Sequence, residues 1–225
     1  MNPYNSFRSI VFTFTTAFIF LCWTLIHPII ETRPLIGWFL AGLVSIGSYR
    51  LMFNICQFIF QKSKRVKKII LGNIYLEGVW VGCYKGLDGS PKLFIEYFEQ
   101  TFDELIIRGR CYEADGSFKG SWVSESVVIK EKEGIIRYTY DTDMINNSHK
   151  NSGIAVFNFA RNKRKDAPKK LTGYSSDIFN PRKIISMEVK IPEADNLSDD
   201  ELLKTANQLF LENKKYFDIM DIGSE

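Results

Sequence analysis

Two long apolar runs, residues 9–30 and 35–60, open the chain, and the only charged residue within either is Arg50. At about 1.5 Å of helical rise per residue, each run reaches across a hydrocarbon core of roughly 30 Å. The four residues between them, Glu31-Thr32-Arg33-Pro34, are too few to carry a domain, and Pro34 stops one helix and admits the next. The pattern predicts an antiparallel two-helix membrane hairpin over residues 1–61. A cleaved signal peptide does not fit, because the first run is too long for an h-region, lacks a small-residue cleavage site and is followed by a second run.

Beyond residue 72 the period changes. Short stretches rich in Val, Ile, Phe, Tyr and Thr alternate with clusters of Gly, Asp, Asn, Ser and Pro, which is the pattern of an all-β domain. Eight strands are predicted, at residues 75–84, 92–101, 104–113, 118–130, 135–142, 153–161, 170–176 and 184–191. Leu87-Asp88-Gly89-Ser90-Pro91, Ala114-Asp115-Gly116-Ser117 and Lys132-Glu133-Gly134 are short turns, so successive strands pair as hairpins in an up-and-down meander. Eight such strands remove their exposed edges by closing into a barrel, whose interior is filled by side chains or holds one small ligand. Gly78-x-Trp80 stands in the first strand, as it does in lipocalin-type barrels, where the Trp closes the floor. The barrel is thus expected over residues 73–192. Ser198 and Glu201 then form a capping box, and Leu202, Leu203, Ala206, Leu209, Phe210 and Phe217 recur at helical spacing, which predicts an amphipathic helix within residues 193–225 that packs on the barrel or on a neighbour, the barrel being favoured. A frayed end is expected from residue 216.

Net charge is +3, but unevenly placed. Lys62, Lys64, Arg65, Lys67 and Lys68 crowd into a basic juxtamembrane linker, residues 62–72, directly after the second run. By the positive-inside rule both termini face the cytoplasm and the barrel is cytosolic. Within the second run Gly37, Ala41 and Ser45 recur every four residues and make a face where another helix can approach closely, either the first helix of the same hairpin or a second protomer. The four cysteines lack C-x-x-C spacing, so free thiols are expected in a reducing cytosol.

Catalytic chemistry is sparse in this sequence. The two histidines, His27 and His149, stand far apart, and no metal-ligand spacing, nucleophile elbow or phosphate-binding glycine loop is found, so neither an enzyme nor a resident cofactor is expected. Asp141, Asp143 and Asp177 are read as turn or strand-end residues that could still meet in space. Binding chemistry is richer. Arg108, Arg110 and Tyr112 share one face of a strand, as do Tyr138 and Tyr140, and a cavity lined by them would suit phosphates and stacked bases. The opposite arrangement places Leu105, Ile107, Gly109 and Cys111 inside and the arginines in water, and the hydrophobic pattern by itself favours it.

Taken in order, these parts are a two-helix hairpin, a basic segment and an eight-stranded barrel opening with Gly78-x-Trp80. Over roughly residues 9–191 the chain resembles the two-transmembrane, β-barrel effectors of bacterial CBASS anti-phage systems. The resemblance implies that a cyclic dinucleotide binds the barrel, that protomers then assemble, and that the helices disrupt the inner membrane and kill the cell. The ligand residues are inferred from chemistry: Arg108, Arg110, Tyr112, Tyr138 and Tyr140 for binding, Trp80 for the barrel floor, and Gly37, Ala41 and Ser45 for assembly. Alternative functions are a membrane-anchored barrel for a hydrophobic small molecule and a protein-binding scaffold. The C-terminal helix has no place in the family pattern.

Overall fold

The computed structural model describes residues 3–144, 151–161, 163, 166–178 and 181–222. His149, with the polar stretch around it, and residues 223–225 lie outside the described residues. The chain divides into two compact units, Met1–Gly72 and Asn73–Glu225.

The first unit holds helices α1 (Pro3–Thr32), α2 (Pro34–Lys62) and α3 (Lys64–Leu71). Phe7, near the start of α1, meets Phe53 and Phe60 near the end of α2 edge-on, at 5.7 and 6.1 Å between ring centres, so the two long helices run antiparallel. Phe12, Phe20, Leu25, Leu35, Trp38 and Phe39 are exposed, and both helices are long and apolar enough to cross a membrane. Their hydroxyls are satisfied internally. Thr13, Thr15, Thr16 and Ser45 each donate to the carbonyl four residues back, at 2.8–2.9 Å, so these hydroxyl donors are met even on an apolar surface. The small-residue stripe is divided between two environments. A Cβ on Gly37 would lie 2.6 Å from the Ile30 Cα, so Gly37 seats α1 of its own hairpin, whereas Ser45 is exposed. The segment read as a basic linker is largely helical: Ser63 caps α3 by accepting from the Val66 N–H at 3.3 Å.

In the second unit all eight expected strands form: β1 (Gly78–Lys85), β2 (Pro91–Gln100), β3 (Leu105–Glu113), β4 (Phe118–Lys130), β5 (Ile135–Met144), β6 (Asn151–Ala160), β7 (Lys170–Asp177) and β8 (Ile184–Ile191). Each pairs antiparallel with its neighbour, and β1 pairs with β8, so the barrel is closed and up-and-down. Side chains alternate between interior and exterior. Trp80, Phe98, Ile107, Ile136, Phe157, Phe159 and Leu171 fill the end at which the chain enters. Trp80 is fully buried there and donates its indole N–H to the Leu76 carbonyl at 2.9 Å. Gln100 holds the incoming strand by accepting from the Leu76 N–H at 2.7 Å and donating to the Ile74 carbonyl at 2.9 Å.

A second core lies outside the barrel. Strands β1 and β2 are apolar on both faces, and Val81, Cys83, Leu93, Ile95 and Met187 on the outer face are covered by Leu202, Leu203, Ala206, Leu209 and Phe210 of α4 (Asp199–Glu212). Burying each large aliphatic or aromatic side chain there contributes about 1.5–3 kcal/mol. The Ser198–Glu201 capping box forms as expected. The expected frayed end is instead helix α5 (Lys214–Ile222), because Phe217 is buried and stacks on Phe210 at 5.2 Å. An ion pair from Lys85 to Asp218, 2.9 Å, ties α5 to the end of β1.

Candidate functional site

The half of the barrel away from Trp80 is less completely filled. A cavity of about 100 Å³ opens there, lined by the last residues of the odd-numbered strands and the first residues of the even-numbered ones, from Tyr84 and Phe94 round to Asp177 and Ser186. Inward-facing glycines make the space. A Cβ on Gly109 would lie 2.0 Å from the Trp122 ring, and one on Gly153 would lie 2.4 Å from the Tyr140 ring, so each glycine lets an aromatic lie flat across the wall opposite it. Phe94 meets Trp122 edge-on at 5.8 Å, and Tyr138 stacks on Phe157 at 6.1 Å.

Two carboxyls sit in this interior, Glu96 on β2 and Glu188 on β8, each 1% exposed. Glu96 Oε1 accepts from the Trp122 indole at 3.0 Å and from the Tyr138 hydroxyl at 3.1 Å. Glu96 Oε2 and both oxygens of Glu188 have no donor among the described residues other than the facing carboxyl. Burial raises the pKa of both acids; for Glu188 the charge on Glu96 adds to it, while for Glu96 the bonds from Glu188, Trp122 and Tyr138 oppose it. Glu188 lacks such donors and is pushed well above the ordinary carboxylate range, so it is the member of the pair that resists ionisation more. Burial and the two acids likewise hold the Tyr138 phenol neutral. Nearer the mouth, Tyr140 donates to Asp177 at 2.9 Å. No lysine or arginine among the described residues lines the cavity.

The expected binding residues separate into two groups. Tyr138 and Tyr140 line the cavity. Arg108, Arg110 and Tyr112 do not: the ladder puts Ile107, Gly109 and Cys111 inside and turns these three outward. Arg108 is 48% exposed and pairs with Glu99. Arg110 is 55% exposed and lies 3.5 Å from Asp199, which also accepts from Tyr112 at 3.3 Å and Tyr97 at 3.4 Å. Arg110 and Tyr112 thus dock the start of α4, and the picture of arginines lining a cavity is corrected by the inside–outside alternation of β3. Asp141, Asp143 and Asp177 do not converge either, since Asp177 faces inward while Asp141 accepts from Ser152 at 2.6 Å, on the alternate face of its strand from Tyr138 and Tyr140. Glu96, Glu188 and Trp122 were missed. For the two acids the signal is a lone charge among mainly apolar strand residues, Leu93-Phe94-Ile95-Glu96-Tyr97-Phe98 and Ile185-Ser186-Met187-Glu188-Val189.

Thiol chemistry is not poised here. Burial raises the Cys111 thiol, and Cys83, beneath α4, is pushed up to about 12 by burial and by the Glu188 charge. Among the described residues no three of His, Cys, Asp and Glu gather as a metal ion would need.

No protein-family model and no curated protein matches the chain. Among solved structures it is similar to a redesigned β-barrel, mFAP1, bound to DFHBI, with TM-score 0.40 and 14% identity over 52% of this chain and 94% of that one. It is also similar to a de novo designed fluorescence-activating β-barrel, with TM-score 0.33 and 13% identity over 52% of this chain and 94% of that one.

Proposed function

We propose that the protein is a membrane-anchored receptor and effector of the CBASS type, whose barrel takes one base of a cyclic dinucleotide into its cavity. The observation that carries this reading is an aromatic-walled, hydrogen-bonding cavity in the same chain as two helices apolar enough to cross a membrane. Ligand sites are concave, mostly apolar and marked by a few convergent polar groups. At about 100 Å³ the volume is smaller than the roughly 150 Å³ engineered cavity that holds benzene, so at most one ring enters. A whole cyclic dinucleotide is too large for it, so the phosphates and second base stay at the mouth, where Lys92 stands with Asp88 and Glu113, and Lys119 lies 3.2 Å from Glu113. Ligand-driven contact between hairpins would then disturb the inner membrane, with both termini cytoplasmic, a topology that the basic residues after the second apolar run support.

The alternative of a hydrophobic carrier is less well supported. Glu188 and the second oxygen of Glu96 lie in the cavity wall, and a hydrocarbon tail would bring them no donor. A scaffold needs no cavity at all.

The test is titration of the full-length protein in detergent with a panel of cyclic dinucleotides and with fatty acids, beside growth of cells that make the protein and the nucleotide together. One cyclic dinucleotide should bind and arrest growth. Tyr140→Ala should weaken that binding by about 1–3 kcal/mol, the worth of one base–aromatic contact. Binding of fatty acids in place of any nucleotide would overturn the reading.

A further inference from the structure

The three oxygens at the heart of the cavity, Glu96 Oε2 and the two of Glu188, are acceptors with nothing to accept from except each other. Buried acceptors left without donors are costly, and natural interiors rarely keep them without a purpose. The surroundings hold them in place. Trp122 and Tyr138 both donate to the same oxygen of Glu96, which fixes that carboxyl. Gly82, between the two strands that carry the acids, has no side chain, and a Cβ there would lie 2.7 Å from the Glu188 Cγ and 2.2 Å from the Phe94 ring.

We propose that the Glu188 carboxyl, backed by Glu96, is a recognition site for a donor fork: two N–H groups on one carbon, as in an amidine, a guanidine, or the ring N–H and exocyclic amine of a guanine-type base. When a fork binds, the proton on Glu188 passes to the facing oxygen of Glu96, and the two oxygens of the Glu188 carboxylate then accept in parallel hydrogen bonds, as they accept from arginine. Phe94, Trp122, Tyr138 and Phe157 offer flat walls to the one six-membered ring that carries the fork, and the cavity wall carries no lysine or arginine among the described residues to compete for the acids. Phosphate and carboxylate groups are repelled from this depth by like charge. In a guanine-type base the sugar is attached at the far end of the ring system from the fork, so a fork seated on Glu188 directs the sugar and phosphates to the mouth. Adenine and uracil lack the fork. For its nucleobase arm the inference rests on the cyclic dinucleotide reading; for its amidine arm it does not.

Calorimetric titration of the full-length protein in detergent separates the two arms. Benzamidine should bind and benzyl alcohol, the same ring without the fork, should not; guanine-containing cyclic dinucleotides should bind more tightly than adenine-only or uracil-only ones. Glu188→Gln, which exchanges one acceptor for a donor, should weaken fork ligands about tenfold or more, while Arg110→Ala, on the outer face, should leave their affinity unchanged. The ligand comparisons use the unaltered protein, so they stand even where the variant fails to fold. Benzamidine binding without any cyclic dinucleotide would support the fork site and defeat the proposed function. Cyclic dinucleotides binding alike whatever their bases, with benzamidine inert, would overturn the fork site and leave the proposed function standing.

Discussion

Glu188→Gln also tests the energetics of the barrel without any ligand. In the unfolded chain a glutamate has the ordinary value of 4.5, whereas in the folded barrel burial and the Glu96 charge hold Glu188 protonated well above it. The folded state therefore binds more protons than the unfolded state throughout that window. Stability is fully present below pH 4.5 and falls as pH rises, by a tenfold change in the folding equilibrium per pH unit for each retained proton. For as long as the fold keeps that proton and the unfolded chain has lost it, each pH unit costs about 1–2 kcal/mol, or about 3–5 °C in melting temperature for a unit of this size. The paired surface acids do not mask this. Glu113 is lowered by its bond from Lys92 and Glu201 by its bonds from Ser198, so their contributions are lost only on acidification below about pH 4.5. Thermal unfolding of the full-length protein in detergent, followed by near-ultraviolet circular dichroism at pH 5, 6, 7 and 8, should show a steadily falling midpoint. Glu188→Gln should flatten that fall, because its amide can donate to Glu96 and carries no proton to lose. A wild-type midpoint that is level or rises from pH 5 to 7 would refute the argument.

Gly109→Ala forces the Trp122 ring away from a Cβ placed 2.0 Å from it and breaks its bond to Glu96, so we expect a loss of about 1–3 kcal/mol and a shifted tryptophan emission. Trp80→Ala should cost about 3–5 kcal/mol and lower the amount of protein in cells, measured by immunoblot of membranes. Ser198→Ala removes the cap of α4 and should cost about 1 kcal/mol in a denaturant titration. In the hairpin, Gly37→Leu should disturb the packing of α1 on α2, whereas Ser45→Leu, on an exposed position, should leave the hairpin intact and block growth arrest; crosslinking within and between protomers distinguishes the two.

The strands were legible because their turns carry Gly and Asp at the required places, and Gly89, Gly116 and Gly134 all adopt positive φ. The apolar helices and the α4 capping box were legible for similarly local reasons. The site was not, since the face of a strand that lines a barrel depends on parity relative to seven other strands. Arg108 and Arg110 flank Gly109, and the hydrophobic pattern of β3 already favoured the arrangement that the ladder shows, the glycine inward beneath Trp122 and the arginines outward. The role of α4 was hidden for the same reason: its anchoring partners, Arg110 and Tyr112, read as ligand residues until Asp199 was seen beside them. Glu96 and Glu188 stand far apart in sequence and meet only because a single strand, β1, separates the two that carry them.

The most direct test of the central claim is an experimental structure of the protein with the cyclic dinucleotide that binds it most tightly. One base should lie inside the barrel with its N–H edge on Glu188, the Trp122 and Tyr138 bonds to Glu96 retained, and both phosphates outside the barrel mouth. A ligand held instead on the outer face, with its phosphates on Arg108 and Arg110 and the cavity empty, would contradict it.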